Sequence, residues 1–201
     1  MNDPELINRI LEGDRMGFNQ LIRKWEKRIY GFIFRYLGNR EAALDITQKT
    51  FLNTYRNIKK LKDPTRFSSW IYQIAANLCR DELTRLKKLN MVSLDDIRES
   101  NEKDGSRLPV QFMEVAERQP DARLETKQLA SVIKDALAEL PEELRMVVIM
   151  KEYQGLKFRE IADVLDEPVS TIKSKMYRSL IFLREIFEKR HITKEVLNDE
   201  M

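Results

Sequence analysis

Helical periodicity stops near Met91 and resumes only at about Leu124, and this interruption constrains the fold more than any other feature of the 201-residue sequence. The stretch between them collects acidic and turn-forming residues such as Asp95, Glu99 and Pro109. A structureless connection of roughly thirty residues is too long for an ordinary loop within one compact domain. We therefore predict a first unit at 1–92, an acidic linker at 93–123, a second unit at 124–190 and a tail at 191–201.

The composition favours packed helices in both units. Hydrophobic residues make up 42% of the chain and charged residues 34%, with only 6 Gly and 6 Pro. No apolar run is long enough to span a bilayer, and Met1–Leu11 lacks the apolar core of a secretory signal. One cysteine (Cys79) and one histidine (His191) support neither a disulfide nor a zinc site. We predict an all-α, cytoplasmic protein with no cofactor, no metal and no membrane insertion.

Charge is distributed unevenly along the chain. Residues 1–90 hold 18 Lys/Arg against 10 Asp/Glu, a net charge of +8, whereas residues 91–128 and 129–201 are at −3 and −2. A basic first half is typical of a protein that contacts a polyanion.

Apolar spacing and breaker residues predict the helices. Gly13, Gly38 and the pair Asp63-Pro64 mark breaks in the first half, and Gly155 marks one in the second. The predicted helices are Asp3–Glu12, Arg15–Leu37, Arg40–Ile58, Ser69–Leu89, Leu124–Leu140, a helix from Pro141 to about Tyr153, Phe158–Leu165 and Val169–Glu188. A short amphipathic piece is also expected at Val110–Val115.

Two of these helices, Phe158–Leu165 and Val169–Glu188, form a predicted helix-turn-helix. Ala162 is small where the helices must approach, and Asp166 tolerates left-handed geometry in the turn. Pro168 sets the entry to the second helix, which Ser170 or Thr171 could cap.

The second helix of this motif has two predicted faces. An apolar stripe comprises Val169, Ile172, Met176, Leu180, Leu183 and Phe187. The other side carries polar and cationic side chains suited to a major groove, namely Ser170, Thr171, Lys173, Ser174, Lys175, Tyr177 and Arg178.

The first half has two further candidate surfaces. On helix Arg40–Ile58, the predicted core face holds Leu44, Thr47, Phe51, Tyr55 and Ile58, and the opposite face holds Asp45, Gln48, Lys49, Leu52 and Arg56. An exposed leucine among polar neighbours hints at a protein-binding surface.

The segment Arg66–Lys88 combines aromatic, amide and cationic side chains, as recognition of unpaired bases requires. A loop Arg66–Trp70, capped by a serine, is expected to lead into the helix. Its candidate residues are Arg66, Phe67, Ser68, Ser69, Trp70, Gln73, Asn77, Arg80, Thr84, Arg85, Lys87 and Lys88. Core packing of Phe67 and Trp70 is the alternative for those two aromatics.

In their order and spacing, these pieces resemble the extracytoplasmic-function (ECF) sigma factors. The resemblance covers roughly residues 5–188 and rests on 45–51 (DITQKTF), 67–77 (FSSWIYQIAAN), Leu140-Pro141 and 168–174 (PVSTIKS).

The resemblance implies a transcription initiation factor. The face with Asp45, Gln48 and Leu52 would dock on the clamp helices of the largest subunit of core RNA polymerase. Arg66–Ser69 and the helix through Asn77 would open and read the single-stranded −10 element. The second unit would sit on the flap of the second-largest subunit, with its recognition helix in the −35 duplex. An anti-sigma partner is also implied.

Leu44 and Lys49 stand where the family commonly has acidic residues, and Ser170 stands where glycine is frequent. The clamp contact and the −35 preference are therefore expected to differ in detail from those of other members.

A stand-alone helix-turn-helix regulator is the alternative function. It would leave the Asp45–Arg56 face and the Arg66–Lys88 segment without a purpose. An enzyme is disfavoured because no phosphate-binding glycine loop, catalytic triad or metal-ligand cluster is evident.

Overall fold

The computed structural model describes residues 2–95 and 123–190. The expected piece at Val110–Val115, most of the predicted linker and the tail at 191–201 lie outside these residues. Within the described ranges the chain is all-α, as predicted, with eight α-helices and no strand. None of these helices is long and apolar enough to cross a membrane.

The first unit contains four helices: α1 (Asp3–Leu11), α2 (Arg15–Leu37), α3 (Arg40–Asn57) and α4 (Phe67–Asp95). Side chains cap three of them, as Asn2, Asp14 and Asn39 each accept a hydrogen bond from a backbone N–H of the following first turn. Gly38 ends α2 with φ 71°, a left-handed conformation that glycine adopts without strain. The predicted breaks in the first half are therefore confirmed.

The start of α4 differs from the sequence prediction. Pro64–Arg66 form a 3₁₀ turn that runs directly into α4, so the expected loop at Arg66–Trp70 is helical. Asp63 caps this turn, because its Oδ1 accepts hydrogen bonds from the Thr65 N–H at 2.9 Å and hydroxyl at 2.6 Å. The aspartate and proline thus start the helix upstream of the two serines that were expected to cap it.

The second unit contains α5 (Arg123–Glu139), α6 (Glu142–Val148), α7 (Phe158–Leu165) and α8 (Val169–Lys189). A π-helical turn, Ile149–Tyr153, continues α6 to the break at Gly155. Asp166 adopts φ 54° in the turn between α7 and α8, so the predicted helix-turn-helix geometry is confirmed. The predicted cap is wrong, because α8 begins after Pro168 with no side-chain hydrogen bond to its first turn.

Three buried threonines line the inner face of α3. The hydroxyls of Thr47, Thr50 and Thr54 donate to carbonyls four residues earlier, at 2.6, 2.7 and 2.8 Å. Buried hydroxyls need partners, and here each finds one within its own helix. These three hydroxyls therefore need no hydrogen-bond partner from α2 or α4, the helices against which α3 packs.

The two units pack against each other. Their buried apolar side chains form one continuous cluster that includes Phe32 and Tyr72 of the first unit and Ile149 and Ile161 of the second. The main contact lies between α4 and α7. The second unit is therefore positioned directly beside the helix that carries the proposed −10 residues.

Candidate nucleic-acid interfaces

The outer face of α3 is exposed as the sequence predicted. Asp45, Gln48, Lys49, Leu52 and Arg56 all lie at the surface, and the Leu52 side chain is 45% exposed. The Asp45 and Lys49 side chains form an ion pair with an oxygen–nitrogen distance of 2.6 Å. An apolar side chain surrounded by charged groups fits a protein contact better than a solvated face.

The predicted core stripe of α3 needs one correction. Tyr55 is 54% exposed and stands edge-on to Phe18, with ring centroids 4.9 Å apart. The inward positions follow Ala43, Ile46, Thr50 and Thr54 instead. The threonines occupy this face because their hydroxyls are satisfied within the helix.

Phe67 also departs from its predicted role as an exposed aromatic. Its side chain is fully buried and meets Trp25 edge-on at 5.6 Å between ring centroids. Trp70 is partly buried and packs against the same core, while Ser68 and Ser69 are half-buried. Of the two aromatics, only Trp70 remains available to stack a base in this conformation.

Trp70 lines an open cavity of about 310 Å³ at the start of α4. Of the other residues predicted for this site, Arg66, Ser69 and Gln73 also line it. Lys60 and Lys62, from the basic run at 59–62, add two cations that were not among the predicted site residues. Asp63 and Asp163 also line the cavity, so its rim carries three cations and two carboxylates around the aromatic wall that an unpaired base could stack on.

Further along α4, the remaining candidate residues form an exposed polar stripe. Arg80 Nη1 donates to the Asn77 side-chain oxygen at 3.2 Å, and the Thr84 hydroxyl donates to the Arg80 carbonyl oxygen at 2.9 Å. Lys88 is exposed. The Asn77 amide and the Arg80 guanidinium are thus hydrogen-bonded to each other, and both are exposed to solvent.

Arg85 is held by a carboxylate from its own helix. Its Nε and Nη2 donate to the two Glu82 carboxylate oxygens at 2.9 and 2.6 Å. These hydrogen bonds lower the pKa of the buried Glu82 side chain. The pairing fixes the direction in which this cation leaves the helix.

The outer face of α8 is open to solvent. Ser170, Lys173, Ser174, Tyr177 and Arg178 are exposed, Tyr177 at 67%, while Thr171 is half-buried. The surface joins two cations, an aromatic ring and three hydroxyl-bearing side chains. This combination can contact both phosphates and base edges in a major groove.

Lys175 is placed differently from its neighbours on α8. Its side chain is only 13% exposed, and Nζ lies 2.8 Å from Glu167 and 3.0 Å from Glu143. Burial works to lower the Lys175 pKa, but the hydrogen bonds to Glu167 and Glu143 outweigh it and raise the pKa. In this structure Lys175 ties α8 to the preceding turn and to α6 instead of facing outward.

The buried stripe of α8 also shifts from its predicted position. Leu180 is 53% exposed, whereas Ser179 is fully buried and its hydroxyl donates to the Lys175 carbonyl oxygen at 2.7 Å. Ile181 and Phe182 are exposed beside Leu180. The C-terminal half of α8 therefore carries an exposed apolar segment, Leu180–Phe182, whose side chains point about 100° apart around the helix, although Leu180 was predicted to lie in the core.

Cys79 is buried in the first unit, as expected, and burial raises the pKa of its thiol. Within the described ranges no group of three or more His, Cys, Asp and Glu side chains is arranged to hold a metal ion.

Two family models match the chain, one in each unit. Residues 21–89 match Sigma-70 region 2, and residues 131–183 match Sigma-70, region 4. These ranges contain the α3 face, the α4 stripe and the helix-turn-helix.

Relatives cover nearly the whole chain. The ECF RNA polymerase sigma-E factor of Haemophilus influenzae is 26% identical over 190 residues, which span 94% of this chain and 95% of the relative. The fold resembles that of CnrH, solved in complex with the cytosolic domain of CnrY, with a TM-score of 0.65, 21% identity and coverage of 93% and 97% of the two chains. It also resembles the sigma factor RpoE of Bartonella quintana, solved with the anti-sigma factor NepR, at a TM-score of 0.59, 18% identity and coverage of 85% and 96%. The chain therefore belongs to the sigma-70 family, in its extracytoplasmic-function group, as an initiation factor that directs RNA polymerase to promoters.

Proposed function

We propose a division of labour among three surfaces of this initiation factor. The α3 face contacts the clamp helices of the largest polymerase subunit, the outer face of α8 reads the −35 duplex, and the α4 stripe with its cavity captures the −10 strand. The observation that carries this assignment is that the α3 face, the outer face of α8 and the α4 stripe from Asn77 onward are exposed, with the two candidate nucleic-acid surfaces on different units.

The α3 face supports a protein contact because Leu52 stands at its centre among charged side chains. An exposed leucine adds little to nucleic-acid binding, but in a protein interface it fills a desolvated pocket. Lys49 stands where the family commonly has an acidic residue, and its ion pair with Asp45 neutralises part of the charge of this face before docking.

The exposed apolar segment Leu180–Phe182 supports a second polymerase contact. It lies on α8 beyond the polar face and has no described partner within the chain. We assign it to the flap of the second-largest subunit, since exposed apolar patches on small domains mark protein interfaces.

Each unit is small, so neither is expected to bind promoter DNA tightly alone. Core polymerase holds both at a fixed spacing, which raises the effective concentration of the second site once the first has engaged. Capture of unpaired bases then offsets part of the cost of opening the duplex. The chain itself performs no bond-breaking chemistry in this proposal.

The solved relatives suggest regulation. RpoE of Bartonella quintana binds an anti-sigma factor, and CnrH was solved with the cytosolic domain of CnrY. We extend this to the present chain and propose a cytoplasmic factor that an anti-sigma protein sequesters.

Run-off transcription with purified core polymerase over random promoter fragments tests the assignment. We expect transcripts from a common pair of −35 and −10 sequences only when the chain is present. A gel-shift assay with duplex promoter should show weak binding by the chain alone and specific binding once core enzyme is added. Tight, specific binding by the isolated chain would instead indicate a stand-alone regulator.

A further inference from the structure

A second cavity, of about 630 Å³, lies between α2 of the first unit and both α5 and the π-helical turn of the second. We call it the α2–α5 cavity. No carboxylate is among the described residues that line it, whereas Asp63 and Asp163 both line the cavity beside Trp70. Its lining includes three aromatic rings and three cations, namely Tyr30, Phe34, Tyr153, Lys27, Arg35 and Lys134.

The aromatic wall of the cavity belongs mainly to α2. Tyr30 and Phe34 are four residues apart, so their side chains leave the helix on the same face. Their rings are parallel to within 7°, with centroids 5.8 Å apart. Both side chains are partly buried and pack against the apolar core, which holds the rings in place. The wall is therefore a fixed surface on which a flat ring can stack.

Two of the cations contact aromatic rings of the opposite unit. The Arg35 guanidinium carbon lies 4.5 Å from the Tyr153 ring centroid, and Lys134 Nζ lies 5.8 Å from the Phe34 ring centroid. A cation–π contact at an exposed site is weaker than a charge-assisted hydrogen bond to phosphate. A bound anion would therefore be a stronger partner for both cations than the rings are.

The charge of the cavity is positive. Glu152 and Asp135 each adjoin a lining residue in the sequence, but neither lines the cavity. A cationic site without carboxylates favours an anionic ligand of similar charge. A nucleoside diphosphate carries about three negative charges, because its terminal phosphate ionises near neutral pH. Such a ligand matches both the three cations and the aromatic wall.

Gly31 makes room for one of these cations. It lies within α2, where glycine weakens a helix relative to alanine. A Cβ atom at this position would lie 2.9 Å from Arg35 Nη1. Without it, Arg35 Nη1 donates to the Gly31 carbonyl oxygen at 3.0 Å. This bond holds the guanidinium beside the cavity and leaves its other N–H groups able to donate to phosphate.

Tyr153 is the aromatic contribution of the second unit. It is the last residue of the π-helical turn Ile149–Tyr153, in which the Gln154 N–H donates to the Ile149 carbonyl oxygen at 3.2 Å. Turns of this kind are frequent at functional sites. The Tyr153 side chain is 40% exposed. The π turn thus presents a large, accessible ring to the cavity.

We propose that the α2–α5 cavity binds a purine nucleoside diphosphate. The base stacks on the aromatic wall, and the phosphates take Arg35 and Lys134 as partners in place of the rings, with Lys27 as a third cation. The cavity volume lies within the range of small-molecule sites. A purine fits better than a pyrimidine because its larger ring system buries more surface against the wall. This inference goes beyond the proposed roles of α3, α4 and α8 and does not depend on them.

Calorimetric titration of the full-length chain tests whether the site needs both parts of the ligand. ADP is the probe, in a buffer with EDTA, because the cavity offers no carboxylate that could hold Mg²⁺. We expect adenosine and pyrophosphate each to bind about tenfold more weakly than ADP, since each lacks one set of contacts. Pyrophosphate that binds as tightly as ADP, or ADP that does not bind at millimolar concentration, overturns the proposal.

A double substitution locates the site. R35M/K134M removes one cation from each unit and should weaken ADP binding about tenfold. K59M/R184M removes one exposed lysine of the first unit and one exposed arginine of the second, both outside the cavity, and should change affinity less than twofold. Equal losses from the two double variants would show only general charge attraction and would overturn the proposal.

A gentler variant guards against misfolding. G31A should displace the end of the Arg35 side chain while strengthening α2, so we expect about threefold weaker ADP binding without a loss of thermal stability. A purely structural role of this glycine would not separate the two measurements in that direction. If R35M/K134M fails to fold by circular dichroism, G31A carries the test, and unchanged affinity then overturns the proposal.

The 5′ end of an RNA offers the same chemistry as a free nucleotide. An adenosine tetranucleotide with a 5′-diphosphate is therefore titrated alongside ADP. Binding of ADP at least as tight as that of the tetranucleotide supports the free nucleotide as the ligand. A tetranucleotide that binds more than about tenfold tighter, with the gain lost in R35M/K134M, overturns that choice and identifies the RNA end instead.

Discussion

The two nucleic-acid surfaces of this chain are prepared to different degrees. On α8, Lys173 and Arg178 point into solvent and the helix is held from behind by buried contacts. On α4, Arg66 and Lys87 are paired with carboxylates of the second unit. The proposed −35 surface is therefore exposed, while two cations near the proposed −10 surface are paired with carboxylates although their side chains remain 59% and 64% exposed.

This difference matches the order of events that promoter opening requires. A duplex exists before any polymerase arrives, but an unpaired −10 strand exists only after melting has begun. Because α8 and α4 differ in this way, a substitution on one helix should change the property assigned to that helix and leave the property assigned to the other helix unchanged.

The largest expected effect comes from two lysines on the same helix. K175M removes the partner of Glu143 and Glu167 and leaves Glu167 largely buried without its cation, so we expect a loss of about 2 kcal/mol in the free energy of unfolding. K173M, two residues away and exposed, should leave stability within about 0.5 kcal/mol. Urea denaturation measures both values, and equal losses would contradict the structural role of Lys175.

K173M and R178M should instead weaken −35 recognition. Each removes one exposed cation that can contact phosphate or a base edge, and we expect about tenfold lower transcription from a −35-dependent promoter. The slope of log affinity against log salt should fall by about one for a phosphate contact. Transcription from a template that is already open at −10 should be nearly unchanged, and R184M serves as the matched control.

N77A should affect promoter melting more than initial binding of the polymerase. Asn77 lies on the α4 stripe beside Arg80 and makes no described contact with the second unit, so its loss leaves the packing of the two units intact. We expect a several-fold slower appearance of permanganate-reactive thymines with little change in closed-complex affinity. Equal losses in the two measurements would argue against base capture by Asn77.

The smallest effect concerns the Glu82–Arg85 pair on α4. Since the Glu82 pKa is lowered in the folded chain, its contribution to stability is present above the unfolded value near 4.5 and is lost as pH falls through the folded pKa. E82Q should reduce the free energy of unfolding by about 1 kcal/mol at neutral pH, because Arg85 is itself largely exposed. That difference should shrink as the pH falls, and a constant difference would show that the charge is not responsible.

The helices of the second unit were predicted well from the sequence because the apolar spacing and the turn residues there indicate the same helix ends. Phe158–Leu165 is a helix with the predicted bounds, and Asp166 has the expected left-handed geometry. The start of α4 was missed because the Asp63-Pro64 signal was interpreted as a turn alone, whereas it also begins a helix. Ser179 was missed because its burial depends on a contact with the Leu144 carbonyl oxygen, thirty-five residues earlier.

The candidate surfaces were predictable as helix faces, but their surroundings were not. Periodicity placed Gln48, Leu52 and Arg178 outward, and the structure agrees. It could not show that Lys175 turns toward Glu143 or that Arg66 meets Asp163, since these pairs depend on tertiary packing. The roles assigned to individual residues at the polymerase and promoter remain predictions for the experiments above.

The threonine row inside α3 has a mechanical consequence. Directional bonds between helices resist sliding, because a displacement of a fraction of an ångström misaligns donor and acceptor. Thr47, Thr50 and Thr54 direct all their hydroxyl bonds along their own helix, so the packing behind α3 is non-directional. These three hydroxyls therefore place no directional restraint on how α3 sits against its neighbours, and they reinforce the helix itself.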